Sequence, residues 1–182
     1  MNKRKIGIAG ASIAAIIAAV GVMAVVKNGA PSSADTGGQQ TKEIDQSLLY
    51  AGLELTAPFD LAAYRAAGVP VIIDFGADSC IPCKEMAPVL AELHRELQGK
   101  AIIRFVDVWK YRNLADGIPL QVIPTQIFFD AEGKPFAPSE SVPLELTMYS
   151  TRETNEHVFT THAGGLSKDQ LLAVLREMGM SE

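Results

Sequence analysis

The chain has 182 residues, 48% of them hydrophobic and 20% charged, and a formal net charge of −5. These proportions exclude a disordered chain and allow one domain with extensions. From residue 41 onward twenty carboxylates stand against twelve Lys and Arg, a balance of −8 that excludes a nucleic-acid or anionic-lipid surface there.

The first 27 residues read differently from the rest. Lys3, Arg4 and Lys5 precede an uncharged run at residues 6–26, IGIAGASIAAIIAAVGVMAVV. About 20 apolar residues suffice to cross a bilayer as a helix, whereas the apolar core of a signal peptide is roughly 7–15 residues. The run therefore predicts an N-terminal transmembrane helix, with a cleaved signal and a secreted product as the alternative. The basic cluster should stay on the cytoplasmic side, so the remainder is expected to face the extracytoplasmic side. No cysteine lies near the run, which excludes a lipoprotein signal. Residues 28–40, NGAPSSADTGGQQ, read as a flexible linker. Residues 41–182 are left as the folded domain.

Within that domain, residues 59–68, FDLAAYRAAG, predict a short amphipathic helix ended by Gly68. Residues 69–77, VPVIIDFGA, predict a strand covered on both faces. Cys80 and Cys83 follow, separated by Ile81 and Pro82. Met86, Val89, Leu90, Leu93 and Leu97 then recur at helical spacing up to Gly99, and Pro88 predicts a kink. Residues 101–108 predict a second buried strand, and residues 113–116 a short helical turn. Residues 124–130 predict a third strand and residues 131–134 a hairpin turn. Residues 135–150 carry three prolines and read as a loop insertion. Residues 157–165 read as a returning edge strand. A last helix opens on a capping box, Ser167 with Gln170, and closes at Gly179.

The two cysteines suit a redox pair, half of a zinc site or a short structural disulfide. Zinc needs further ligands, and His94, His157 and His162 show no paired spacing. Lys84 after Cys83 removes the haem-attachment signal. A loop this short restrains the unfolded chain little, so a structural disulfide has little to gain. A redox pair draws on the position itself. At a strand-to-helix junction, free N–H groups and the helix dipole stabilise a thiolate. Cys80, expected at the first position of the helix, is then the nucleophile and Cys83, one turn inward, the resolving thiol. Pro82 suits a first turn, where its missing N–H costs nothing. Asp74 interrupts an apolar strand. Buried there, its carboxyl would be held neutral and could exchange a proton with Cys83 through water.

Three blocks, VIIDFGADSCIPCKEMAPVL, VIPTQIFFD with EGK, and GGLSKDQLLAVL, are similar in order to the signature blocks of the thioredoxin family. The resemblance covers most of residues 71–175. It implies an α/β thioredoxin-like fold, a central mixed sheet flanked by helices. It implies that Asp74 is the buried acid and Pro124 a cis-proline. Ile123 would offer backbone hydrogen bonds to an extended substrate, with Ile81, Pro82 and Gly164 or Gly165 beside it. The chain departs from the family at Ser79 and Gly76, where aromatics are usual, and in the length of residues 135–160. The redox-active Cys80–Cys83 disulfide implies no further cofactor and no metal.

The expectation is a membrane-anchored, extracytoplasmic thiol–disulfide oxidoreductase working as a reductant. Its partners would be disulfide-containing exported proteins and a membrane thiol-transfer protein that donates electrons, and the chain itself is expected to be a monomer. The alternative is a non-catalytic binding module with a static disulfide.

Overall fold

The computed structural model describes residues 47–142 and 144–182. The predicted membrane segment and linker lie outside the described residues. Among those described, no helix is long and apolar enough to cross a membrane.

The central element is the strand β1, Val71–Gly76, buried along its whole length. Its side chains alternate between two cores, as the period of two requires. Val71, Ile73 and Phe75 enter one core, together with Tyr64, Leu114, Ile127 and Phe129. Ile72 enters the other, with Met86, Leu90, Leu93, Phe128, Leu171 and Val174. A run apolar at nearly every position is what covering both faces demands.

Two other strands flank β1. β2, Ile102–Asp107, runs parallel to it, and β3, Thr125–Phe129, runs antiparallel. The sheet continues through β5, His157–Ala163, to β4, Thr147–Ser150, in the order β2-β1-β3-β5-β4. One face is covered by α3, Ile81–Glu96, and α4, Lys168–Glu177. The other carries α2, Leu61–Arg65, and a 3-10 turn, Arg112–Ala115. A short α1, Ser47–Tyr50, precedes them. Arg104, fully buried in β2, fastens α1 by donating to the Leu48 carbonyl. The predicted capping box forms, and α2 carries a further, unpredicted cap. Ser167 accepts from the Gln170 N–H and the Gln170 side chain returns the bond, and Asp60 accepts from Ala62 at the start of α2.

Two expectations are corrected. Residues 157–163 are not an edge strand, because β4 pairs outside them, with Thr147 opposite Thr161 and Tyr149 opposite Phe159. Nor is the 135–150 segment a plain loop. Val142, Leu144 and Leu146 pack on the α3–α4 core, and the Ser139 N–H donates to Glu177 Oε1 at 2.6 Å. β4 escaped notice because its residues are exposed or only half-buried, so they carry no apolar period.

Candidate active site

The site begins where β1 stops. Cys80 is not the first helical residue, as expected, but the N-cap of α3, with extended backbone at φ −83° and ψ 124°. Its Sγ accepts the Cys83 N–H at 3.3 Å, the bond a serine or threonine oxygen makes at other helix starts. Pro82 sits in the first turn, where no N–H is needed. Cys80 and Cys83 are joined as a disulfide with Cα atoms 5.2 Å apart. Both sulfur residues are nearly buried, whereas Ile81 between them is 72% exposed.

Beneath the pair lies Asp74, 1% exposed. Burial pushes its carboxyl up to about 7, against a smaller lowering by the Gln126 side chain. Gln126 Nε2 donates to Asp74 Oδ1 at 2.7 Å and to the Gly164 carbonyl at 3.1 Å, and touches Met86 Sδ at 3.5 Å. Strand and helix periods place the acid relative to the sulfurs. Gly76 lies against Cys83, since a Cβ there would stand 3.2 Å from Cys83 Sγ. Asp74, two positions earlier, projects from the same face of β1 about 6.6 Å deeper. Met86, one helical turn past Cys83, meets Gln126 at that depth. A single water can bridge such a gap, and a carboxyl titrating near neutrality can take a thiol proton and return it.

The third wall is the Ile123–Pro124 turn. That peptide bond is cis, and the Ile123 carbonyl lies 3.9 Å from Cys80 Sγ. The Pro124 carbonyl accepts the Gly164 N–H at 2.8 Å, tying the turn to the end of β5. Gly164 takes φ +120°, which favours glycine, and a Cβ on Gly165 would sit 4.0 Å from the Pro82 carbonyl. All eight predicted residues, Asp74, Cys80, Ile81, Pro82, Cys83, Ile123, Pro124 and Gly164, therefore converge on one end of the sheet.

Two further residues shape this end. Gln126 holds Asp74 from 52 positions away. Asp107, 1% exposed at the end of β2, collects three backbone donors. Asp78 N–H reaches its Oδ2 at 3.1 Å, while Trp109 and Lys110 N–H reach Oδ1 at 2.9 and 3.0 Å. Burial raises its carboxyl, but the Asp78, Lys110 and Trp109 amides and the Lys110 charge outweigh that and hold it below the ordinary range. Asp107 thereby fixes the loop that delivers Cys80. The signal for both was a polar residue inside or ending an otherwise apolar strand, the same one that singled out Asp74. Among the described residues no cluster of three or more His, Cys, Asp or Glu is placed to hold a metal ion.

A family model described as Thioredoxin matches residues 58–148. The chain is 35% identical over 66 residues to a thioredoxin of Borreliella burgdorferi, covering 36% of this chain and 56% of that one. It is 43% identical over 63 residues to thioredoxin C-2 of Corynebacterium nephridii, covering 35% of this chain and 58% of that one. The chain thus spans little more than half the length of these relatives. A solved mutant thioredoxin from Halobacterium salinarum superposes with a TM-score of 0.50 at 20% identity, over 71% of this chain and 92% of its own. That likeness concerns the fold alone.

Proposed function

The chain belongs to the thioredoxin family, and from that premise we propose that it is a thiol–disulfide oxidoreductase that reduces disulfides in exported proteins from the outer face of a membrane. The observation that carries the chemistry is the Cys80 sulfur at the start of α3, facing the Cys83 amide and the Ile123 carbonyl, with Asp74 buried below.

In the reduced protein the Cys80 thiolate, stabilised by the Cys83 amide and the helix dipole, attacks one sulfur of a substrate disulfide. The Cys80–substrate bond forms, the substrate S–S bond breaks, and the released substrate thiolate takes a proton. The Cys83 thiol then passes its proton toward Asp74 and attacks Cys80 Sγ. The internal disulfide closes, and the second substrate thiolate leaves and is protonated. Two electrons have moved from the pair to the substrate. Restoring the dithiol requires a thiol donor, for which a membrane thiol-transfer protein is the proposed source. The extracytoplasmic orientation follows from the charge pattern of residues 1–27.

Cys83→Ser tests this reading. The variant should retain Cys80 in mixed disulfides with its clients, recovered from cells and named by mass spectrometry, and should lose insulin-reducing turnover. A static disulfide in a binding module predicts no turnover in the parent and no adducts in the variant. Amino-terminal sequencing of the mature protein distinguishes an anchor from a cleaved signal.

A further inference from the structure

The segment that departs from the family pattern builds one side of a pocket beside the candidate groove. The pocket, about 220 Å³, lies among Gln121, Val122, Thr125, Thr147, Tyr149 and Ala163. Val122 immediately precedes the Ile123–Pro124 turn and Thr125 immediately follows it, so the pocket opens where that turn meets the sheet. Thr147 and Tyr149 come from β4, and Gln121 Nε2 lies 3.5 Å from Tyr149 Oη across the mouth. The wall is fixed rather than loose. β4 is paired along β5, the preceding residues pack on the core, and the Glu145 carbonyl meets His162 Nδ1 at 2.9 Å.

The described lining is made of aliphatic, aromatic, hydroxyl and amide groups and carries no charge, in a domain with many carboxylates. A charged side chain entering it would give up water without gaining a counter-charge. An aliphatic one would lose only its exposure to water. Val122 is itself 56% exposed beside the mouth, an apolar surface that such a side chain would cover.

We propose that this pocket is a specificity subsite, taking an uncharged aliphatic side chain of the polypeptide whose cysteine is joined to Cys80. The inference rests on the oxidoreductase reading and adds to it a substrate class, disulfides flanked closely in sequence by aliphatic residues. The strand residues of the pocket, Thr125, Thr147 and Ala163, share the Phe75 face of the sheet, away from Asp74 and Cys83. An extended chain crossing the Ile123 backbone turns alternate side chains to opposite sides, and the one turned away from the sulfur pair is the one the pocket takes.

The experiment uses the full chain and three substrates. Two are synthetic peptides with the same disulfide, flanked by Val in one and Glu in the other. The third is hydroxyethyl disulfide, which has no side chain to place. The parent should favour the Val peptide by at least about tenfold in kcat/KM, since a single misfitted methylene in an apolar pocket already costs about that much and the Glu carboxylate must also be desolvated. Thr147→Trp, filling the pocket from an exposed edge position, should erase that preference and leave hydroxyethyl disulfide turnover unchanged. Equal rates for the two peptides in the parent, or a preference that survives Thr147→Trp, would overturn the subsite while leaving the oxidoreductase reading standing. A parent that reduces none of the three substrates would overturn both.

Discussion

Replacing Asp74 by Asn should make the oxidised protein more stable at neutral and alkaline pH, by an amount that depends on pH in a defined way. The carboxyl is 1% exposed and is pushed from 3.8 up to about 7, mainly by burial. The folded state therefore holds this proton more tightly than the unfolded chain. Between pH 4 and pH 7 the unfolded chain has lost the proton and the folded one has not, so stability falls as pH rises. The interval spans roughly three pH units at about 1.36 kcal/mol each, giving a loss of about 4 kcal/mol that is complete above pH 7. Asn matches the neutral acid in shape and keeps an oxygen for the Gln126 donor, so the variant lacks this slope. Guanidinium unfolding of both proteins at pH 4, 5.5, 7 and 8.5 reads the difference directly. The gap should open from less than about 1 kcal/mol at pH 4 to about 4 at pH 8.5. Other titrating groups cancel, because both proteins share them. Parallel profiles across the whole range would refute the buried-acid assignment. The same variant should also resolve its mixed disulfide more slowly, since Cys83 loses its proton acceptor.

Three further outcomes can be checked. Gly76→Ala would bring a Cβ to 3.0 Å from Phe105 Cε2 and 3.2 Å from Cys83 Sγ. It should cost about 1–3 kcal/mol in a denaturant melt, as overpacking does, and disturb closure of the pair measured by stopped-flow thiol release. At Gly133, where φ is +77°, a Cβ would lie 2.0 Å from the Arg65 carbonyl oxygen. Gly133→Ala should then lower Tm by roughly 6 °C, corresponding to about 2 kcal/mol, and an unchanged Tm would contradict the contact. Equilibration with glutathione should place the Cys80–Cys83 couple nearer −270 mV, roughly the reducing end of the scale, than −120 mV, because Pro82 supplies no charge to stabilise the dithiol. A value above about −160 mV would assign the pair to oxidation instead.

Much of this site was legible along the chain because its chemistry is local. Cys80, Ile81, Pro82 and Cys83 share one helical turn, and the apolar run ending in Gly76 leads straight into it. The Ser167–Gln170 capping box is equally local and formed as read. Cys80 itself differed by one position, as a cap and not the first helical residue, because the side chain that bonds the helix amides must stand just outside the helix.

What could not be read were the partnerships between distant segments. Gln126 reaches Asp74 only because β3 lies antiparallel beside β1 with those two residues opposite each other. Asp107 can fix the loop before Cys80 only because β2 lies parallel on the other side. Residues 147–150 became the outer strand, and one wall of a pocket, although nothing in their own pattern announced burial. The sequence by itself determined the sulfur pair, the strand feeding it and the helix that receives it, since hydrophobic period and capping act over a few residues. Only the tertiary structure decided which side chains surround the buried acid and which strand borders the groove. Those depend on strand order and register, set by how two whole cores close over opposite faces of one sheet.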